Sequence, residues 1–327
     1  MKRWVYVAIV VAVIALAYML LAPKDAAEPE DAPQPERQPL VSAQEKTVAT
    51  VYYATLDGRY LVPLNININS TTEVAKVAVE LLLAGAPNDF VADPITVETK
   101  LLDLYTIHDT VYANFTASFA DIAPEQMPLA VDALLLTLLP LTDGYKLQIL
   151  IDGQGLQLFD AAIDARDTTQ PLSEPLLNPV AEAEAAEDSR PLTYYLGDGQ
   201  AMYLVPRTIA VPDTLSAEEQ ARLILSALLN QSGAEGLAGV LWPGTELLGL
   251  ELQEGVAVCD FSEQLTAYGG GTAFEFMLVN ALVYSLCGVE GIDSVQILIE
   301  GEQREYLPEG SDISRPLTIS APLNMLY

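Results

Sequence analysis

The sequence predicts an α+β fold: two tandem homologous domains, each a mixed β-sheet with two helices on one face, after an N-terminal transmembrane helix. Three observations lead to this prediction. The hexapeptide QILIDG at residues 148–153 returns as QILIEG at residues 296–301. Further matches follow in the same order along both halves of the chain, and the N-terminus carries a long apolar run. Ordered self-similarity of this kind indicates a duplicated folding unit.

The matches cover most of each half. They pair Tyr52-Tyr53 with Tyr194-Tyr195, Asp57-Gly58 with Asp198-Gly199, LVP at 61–63 with LVP at 204–206, TKLLDL at 99–104 with TELLGL at 245–250, and NFT at 114–116 with DFS at 260–262. The spacing between partners grows along the chain. Small insertions in loops explain this drift, because loops tolerate extra residues better than strands or helices do.

Residues 1–22 predict a membrane anchor. Lys2 and Arg3 precede residues 4–22, which carry no charge and as a helix would extend ~28 Å, close to the ~30 Å of a bilayer's hydrocarbon core. The positive-inside rule then leaves the basic end in the cytoplasm and the domains on the extracytoplasmic side of the cell membrane. A cleavable signal peptide ending near the ALA at residues 15–17 is the alternative.

Composition sets the remaining boundaries. Residues 23–46 hold five prolines among acids and alanines and predict a disordered spacer, since such a segment buries too little apolar surface to order itself. The first domain is predicted at 47–177, an acidic linker at 178–190 and the second domain at 191–327. A chain of 327 residues is long enough for two domains with their own cores.

An opening hairpin and a capped helix are predicted in each domain. Apolar, β-rich runs flank the Asp-Gly dipeptide in both copies and indicate a hairpin. Capping-box spacing then starts a helix in each copy, with Ser70 and Glu73 in the first and Ser216 and Glu219 in the second. The same device at corresponding places supports the duplication independently of the matched letters.

Two strands, a second helix and a closing strand complete each unit. The strands are predicted to meet at tight turns near His108-Asp109 and Glu254-Gly255, and the helices to cover residues 124–139 and 272–286. The closing strands KLQILI and SVQILI each lead into a proline-bearing tail, which predicts an edge strand. The resulting order is β-β-α-β-β-α-β plus a tail.

The chain offers few residues for catalysis. Its one histidine, His108, falls at a predicted turn and is expected to be solvated. A single histidine excludes a His-based zinc site or a Ser-His-Asp triad in each domain. No calcium-loop spacing of acids is present, and Gly269-Gly270-Gly271 lacks the spacing of a phosphate-binding loop. We therefore predict no catalytic residue, metal or cofactor, and an acid-pair hydrolase is the least favoured class.

Charge and cysteines limit the partners further. The net charge of −30 repels phosphate backbones, so nucleic acid is not an expected partner. The two cysteines, Cys259 and Cys287, both lie in the second domain. Two buried free thiols are the favoured interpretation, and a bridge between them is the alternative.

In order along the chain, the motifs are similar to those of a known family. They are the tyrosine pair with Asp-Gly and LVP, a capped helix, GTELLGLELQEGVAVCDFS, a glycine-led second helix, and VQILIEG. Together they resemble the GerMN domain of sporulation and spore germination proteins and of some cell-envelope lipoproteins. The first copy departs by Asn114, where the second has Asp260, and by lacking the glycines. A contact surface built from those features would be altered in the first copy.

Positions shared by the two copies or belonging to that pattern are the candidate contact residues. They are Tyr53, Tyr195, Gly58, Gly199, Pro63, Pro206, Asn114, Asp260 and Gly270. Core or edge packing is the favoured interpretation of the tyrosines and of LVP. A shared contact surface is the alternative, because exposed aromatic residues are enriched at interfaces.

The resemblance implies an exported, non-enzymatic protein. Tandem-domain relatives support assembly of a ring-forming channel between mother cell and forespore, and they usually carry a lipid-modified cysteine, whereas the first cysteine here is Cys259. We therefore expect a membrane-tethered scaffold of the sporulation and germination envelope that binds envelope proteins such as ring or channel components, and that is itself able to oligomerise. The alternative is a module that binds a small ligand or cell-wall fragment between its two domains.

Overall fold

A computed structural model describes residues 36–141, 145–156, 167–180, 188–230 and 235–326. The predicted anchor, most of the predicted spacer and residues 181–187 of the predicted linker lie outside these ranges. Within them, no helix combines the length and the apolar character needed to cross a membrane.

Each repeat contributes two helices and two hairpins of strands to the described residues. The first repeat contains β1 Gln38–Pro39, β2 Lys46–Ala54, β3 Leu61–Thr71, α1 Val74–Ala84, β4 Leu101–Ile107, β5 Thr110–Phe115, α2 Met127–Leu138, β6 Lys146–Ile151 and β7 Gln154–Gly155. The second contains β8 Ser189–Gly197, β9 Leu204–Pro212, α3 Ala217–Asn230, β10 Leu247–Gln253, β11 Val256–Phe261, α4 Gly271–Leu286, β12 Ser294–Ile299 and β13 Met325–Leu326. The predicted α+β class and the order β-β-α-β-β-α-β are confirmed.

The strands of each repeat divide between a sheet and a separate hairpin. In the sheets β4-β5-β6 and β10-β11-β12, the first pair is antiparallel and the second parallel. The opening strands form hairpins apart from these sheets, β2 with β3 and β8 with β9, and β13 adds to β3. Both helices of each repeat pack on the first hairpin strand. The prediction of a single sheet per repeat is therefore wrong. Alternating apolar residues identify a strand, but its partner is set by long-range packing.

The hairpin registers correct the alignment of the two tyrosine pairs. Tyr52 lies opposite Pro63, and Tyr195 lies opposite Pro206. Tyr195 therefore corresponds to Tyr52, one residue before its predicted counterpart Tyr53. Matching the doubled tyrosine letter by letter shifts the copies by one position, and a shift of one position reverses the face to which a strand residue points.

The hairpin turns show a similar slip. Gly58 donates its N–H to the carbonyl of Thr55, and Ala201 donates to the carbonyl of Asp198. Gly58 and Ala201 both have positive φ, 70° and 54°. The counterpart of Gly58 is thus Ala201 rather than Gly199, so the shared Asp-Gly letters do not occupy the same place in the turn.

The capping prediction is confirmed in the second repeat and wrong in the first. Ser216 donates its N–H to Glu219 Oε2 at 2.8 Å, and Glu219 donates its N–H back to Ser216 Oγ at 3.3 Å. In the first repeat β3 continues to Thr71, so Ser70 is extended and its hydroxyl donates to Glu45 instead. Because β3 includes Ser70, this residue does not cap the helix that follows.

The predictions for the tight turns and for the tails have opposite outcomes. The tight turns near His108 and Glu254 are confirmed, with both residues at positive φ. The two tails are not edge strands. Each makes one isolated bridge beside the closing strand, Leu172 to Leu147 and Leu317 to Val295.

The end of the predicted spacer is ordered. Strand β1 pairs with β4, placing Gln38 opposite Thr106 and Pro39 opposite Tyr105. Ser42 also donates its N–H to the carbonyl of Thr72. Proline fits at this place because β1 lies at the edge of the sheet, where no further strand requires the missing N–H.

The asymmetry of the two capping sites is directly testable. We expect Ser216→Ala to lower the free energy of unfolding by about 1 kcal/mol, because the α3 N-terminus loses its cap. Ser70→Ala is the matched control and should cost less than about 0.5 kcal/mol, as for an ordinary surface substitution. Urea denaturation of residues 36–327 measures both. Equal losses for the two variants would contradict the assignment of the caps.

Candidate functional site

Asn178, at the end of the first tail, connects the two repeats. Its Oδ1 accepts the N–H of Leu61 at 2.7 Å. Its Nδ2 donates to the carbonyl of Leu61 at 2.7 Å and to the carbonyl of Pro206 at 2.8 Å. Leu61 begins LVP in the first repeat, whereas Pro206 ends LVP in the second. One amide side chain thus bonds both hairpins.

Asn324, at the end of the second tail, makes the reciprocal set of bonds. Its Oδ1 accepts the N–H of Leu204 at 2.9 Å. Its Nδ2 donates to the carbonyl of Leu204 at 2.8 Å and to the carbonyl of Pro63 at 3.0 Å. The two asparagines are therefore equivalent under exchange of the repeats, and the two LVP motifs are the surfaces they join.

Each tail then runs onto the hairpin of the other repeat. Strand β13 pairs parallel with β3, and Asn65 donates its N–H to the carbonyl of Asn324 at 3.3 Å. In the other direction, Pro179 forms a parallel bridge with Thr208, whose N–H donates to the carbonyl of Asn178 at 3.3 Å. We call residues 178–180, 324–326 and the two LVP motifs the clasp.

Asparagine suits the clasp for two physical reasons. Asn178 and Asn324 both have positive φ, 46° and 50°, and asparagine enters this left-handed region more readily than most residues. Its amide also combines an acceptor with two donors on a short side chain. Both properties are needed where the chain turns from its own hairpin onto the neighbouring one.

A second pair of tyrosines crosses between the repeats beside the clasp. The hydroxyl of Tyr60 in the first repeat donates to the carbonyl of Glu235 in the second, at 3.2 Å. The corresponding Tyr203 accepts a bond from Nδ2 of Asn88 in the first repeat, at 2.7 Å. The Arg207 guanidinium lies 4.7 Å from the centre of the Tyr60 ring. Aromatic side chains of each repeat therefore contact the other repeat.

Tyr52 and Tyr195 have raised pKa values. Burial raises the pKa of Tyr195 to about 12, with a further contribution from Tyr284, whose ring packs edge-on at 5.9 Å. Burial also raises the pKa of Tyr52, and the neighbouring Tyr195 adds to the shift. Since both hydroxyls stay protonated at neutral pH, these tyrosines act as neutral packing groups.

Asn114 and Asp260 have the same structural role. Asn114 Oδ1 accepts the N–H of Gly153 at 2.9 Å, and Asp260 Oδ1 accepts the N–H of Gly301 at 2.8 Å. Each side chain closes the turn after the QILI strand. Because amide and carboxylate both supply this acceptor, the difference between the copies leaves this bond intact.

Other candidate contact residues are also held in packing. Tyr53 is buried, and its hydroxyl donates to the carbonyl of Leu81 at 3.0 Å. A Cβ on Gly270 would lie 2.6 Å from Cβ of Phe274, and one on Gly199 would lie 3.1 Å from the carbonyl oxygen of Gly236. These glycines allow close approach of neighbouring segments.

Sequence reasoning missed the two clasp asparagines and a pair of glutamines. The composition places Asn178 in the predicted linker, although the matching ends PLLN and PLN of the two tails carry the signal. Gln148 and Gln296, from the QILI motifs, are buried and donate Nε2 to the carbonyls of Thr168 and Ile313 at 3.0 and 2.9 Å. These bonds attach each tail to its closing strand, and so help to position Asn178 and Asn324, which end the two tails.

The carboxylate of Glu275, which is fully buried, anchors a loop. It accepts the N–H groups of Glu309 at 2.7 Å and Ser311 at 2.6 Å, and the hydroxyl of Tyr268. Burial by itself would raise the pKa of Glu275, but these donors outweigh it and lower the pKa. A satisfied, ionised carboxylate of this kind is a structural element. The corresponding residue of the first repeat is Met127.

The described part of the chain contains a groove but no cluster of metal-binding side chains. It contains no group of three or more His, Cys, Asp or Glu placed to hold a metal ion. A groove of about 410 Å³ is lined by the second repeat alone, among others by Met202, Phe276, Asn280, Tyr284 and Leu323. The groove therefore does not lie between the two repeats, where a shared ligand cleft was expected.

Both repeats match a known protein family, and the tandem arrangement matches a solved structure. The family model "Germane: Sporulation and spore germination" matches residues 50–157 and 193–305. The tandem GerMN domains of the sporulation protein GerM from Bacillus subtilis match with a TM-score of 0.60 and 19% identity, over 85% of this chain and all of that one. This match supports the tandem fold. No curated protein sequence matches.

Two further solved structures are similar over a smaller share of this chain. The first GerMN domain of GerM from Bacillus subtilis matches at 25% identity over 40% of this chain and 98% of that one, with a TM-score of 0.34. A putative lipoprotein from Clostridium perfringens matches at 20% identity over 42% of this chain and 92% of that one, with a TM-score of 0.30.

The clasp predicts a large cost for either asparagine. We expect Asn178→Ala and Asn324→Ala each to lower the free energy of unfolding by about 1–3 kcal/mol, because backbone groups of both hairpins lose partners. Asn230→Ala is the matched control, since the described partner of the Asn230 side chain is Ser226 on the same exposed helix face. Calorimetric unfolding of residues 36–327 measures all three. A cost at Asn230 as large as at the clasp would contradict this role.

The cysteines are free thiols, in agreement with the favoured interpretation, although Cys287 is only half-buried. Burial raises the pKa of Cys259 to about 12 and also raises the pKa of Cys287. Because the thiolate is the reactive form, we expect Cys259 to resist a thiol reagent at pH 8 until the protein unfolds, and Cys287 to react slowly. Mass spectrometry of the labelled peptides measures both rates. Prompt native-state labelling of Cys259 would contradict its burial.

Proposed function

Because this chain belongs to the Germane family of sporulation and spore germination, we propose that it is a membrane-tethered assembly protein of the sporulation and germination envelope. It acts by binding other proteins and not by catalysis. The clasp carries this proposal. Residues Arg37–Tyr327 form one compact unit, so the two repeats present their surfaces at a fixed spacing, as a scaffold requires.

The residues shared by the repeats support a scaffold rather than an enzyme. Pro63 and Pro206 serve the clasp, Asn114 and Asp260 close turns, and Tyr52 and Tyr195 are neutral packing groups. Duplication has thus preserved groups that hold the fold and join its halves. Their use in structure leaves the outer faces as the surfaces that bind partners.

Tethering and location belong to the same proposal. Lys2, Arg3 and the uncharged residues 4–22 support a single membrane pass with the repeats on the extracytoplasmic side. The partners are then envelope proteins, with ring or channel components as the proposed class, and the chain itself is able to oligomerise. The acidic surface favours partners with basic surfaces.

The groove in the second repeat favours a second candidate function, binding of a small ligand or cell-wall fragment. Its lining is mostly apolar, and the Phe276 side chain at its edge is 69% exposed. Apolar concavities with a few polar groups are the usual form of ligand sites. Asn280 supplies such a polar group here.

Complementation in the native host tests the proposed function. Deletion of the gene should lower the number of heat-resistant spores or their germination, and the wild-type chain should restore it. A variant with both Asn178→Ala and Asn324→Ala should restore it less well, because the repeats no longer hold a fixed spacing. The Asn230→Ala variant should behave as wild type. A deletion without effect on sporulation and germination would contradict the proposal.

A further inference from the structure

The sheet of each repeat has an outer edge at the corresponding place, and the two edges differ in whether a further strand pairs with them. The outer edge of β4 in the first repeat is paired with β1. The outer edge of β10 in the second repeat has no strand on it within the described residues. Tyr105 and Thr106 under β1 are 8% and 6% exposed, whereas the corresponding Glu251 is exposed and Leu252 is half-buried.

The correspondence of these edges is exact in register. Leu101 of β4 lies opposite Phe115, and Leu247 of β10 lies opposite Phe261. Both strands then shift register at the following residue before pairing resumes. Because the irregularity falls at the same place, the residues that bind β1 on β4 have definite counterparts on β10, namely Glu251 and Leu252.

The backbone of β10 presents bonding groups outward. Arg222 on α3 donates Nη2 to the carbonyl of Leu250 at 3.1 Å, so this carbonyl points away from β11. The N–H and C=O groups of alternate residues in a strand point to the same side, and Leu252 therefore also faces the open edge. Its counterpart Thr106 lies opposite Gln38 of β1. Unpaired edges of this kind accept an added strand.

The charges around this edge indicate the chemistry of the added strand. Glu246, Glu251 and Glu254 are exposed along or beside β10. The neighbouring cation, Arg222, is paired with Glu218 at 2.7 Å. An acidic edge favours a basic occupant, since cross-strand pairs of opposite charge stabilise a sheet and like charges destabilise it.

The first repeat shows how a basic residue is held at such an edge. Arg37, next to β1, forms an ion pair with Asp103 at 3.3 Å, and its guanidinium lies 4.4 Å from the centre of the Tyr105 ring. Glu251 stands at the position of Tyr105 in the second repeat. A cation beside an added strand would therefore meet a carboxylate on β10.

We propose that the outer edge of β10 binds an extended, arginine- or lysine-bearing segment of another protein, which adds antiparallel to β10 as β1 adds to β4. The inference rests on the proposed protein-binding function and names the kind of segment that is bound. Backbone bonds to Leu252 supply the attachment, and Glu251 with its acidic neighbours selects a basic sequence.

Peptide titration of the full chain in neutral detergent micelles tests this site. The probe is a fluorescent, capped octapeptide of alternating arginine and valine, followed by anisotropy, with hydrogen exchange reporting on the β10 amides. We expect one-to-one binding that slows exchange in β10. Glu251→Lys should weaken binding about tenfold, whereas Glu80→Lys, an equal charge change on exposed α1, should leave it unchanged.

Further probes separate strand addition from general charge attraction. The same peptide N-methylated on its valines keeps its charge but loses backbone donors, and it should bind at least tenfold more weakly. Leu252→Pro should also abolish binding without loss of the β11 pairing, because the N–H of Leu252 faces outward. If this variant does not fold, the methylated peptide and Glu251→Lys still test whether the peptide adds as a strand.

Four results would overturn the proposal. They are absence of peptide binding, binding that is insensitive to N-methylation, binding that is insensitive to Glu251→Lys, and self-association of the chain that protects the β10 edge in the absence of peptide. The last result would make the occupant a second copy. Loss of heat-resistant spores in the deletion strain together with no peptide binding would reject this site and leave the scaffold function standing. Peptide binding without any sporulation phenotype would reject the scaffold function in sporulation.

Discussion

The joining of the two repeats depends on the amide side chains of Asn178 and Asn324. Each amide bonds both backbone groups of the leucine that begins LVP in its own repeat, and it then bonds the carbonyl of the proline that ends LVP in the other. Removing one side chain would leave polar backbone groups of two hairpins unsatisfied at once, and buried polar groups are costly when unpaired. The positive φ of each asparagine also turns the tail onto the opposite hairpin. The joint between the repeats is therefore part of the fold of each repeat.

Local patterns in the sequence predicted the elements well, and they failed where the structure depends on distant partners. The duplication, the order of helices and strands, the turns near His108 and Glu254 and the capping box at Ser216 all follow from residues close in sequence. The match of Tyr53 to Tyr195 failed because the register is fixed across the hairpin and not along the strand. Local patterns do not reveal the clasp, because its partners are far apart in sequence. Asn324 bonds Pro63, and Met325 pairs with Asn65. A short polar side chain gives no periodic signal for such a contact.

The repeats share their frame but differ at their surfaces. The first repeat covers its β4 edge with the preceding segment, whereas the β10 edge of the second is uncovered in the described part of the chain. The second repeat also anchors a loop on Glu275, where the first has the apolar Met127. These differences suit the proposed scaffold function, in which the first repeat would serve as a closed support and the second would offer binding surfaces.

Residual dipolar couplings of backbone amides in residues 36–327 test the central claim, that the clasp makes one unit of the two repeats, most directly. Couplings from β2–β6 and from β8–β12 should fit one common alignment tensor, with the same magnitude and orientation in both repeats. Two tensors of different magnitude, each fitting only its own repeat, would show that the repeats move independently and would contradict the clasp.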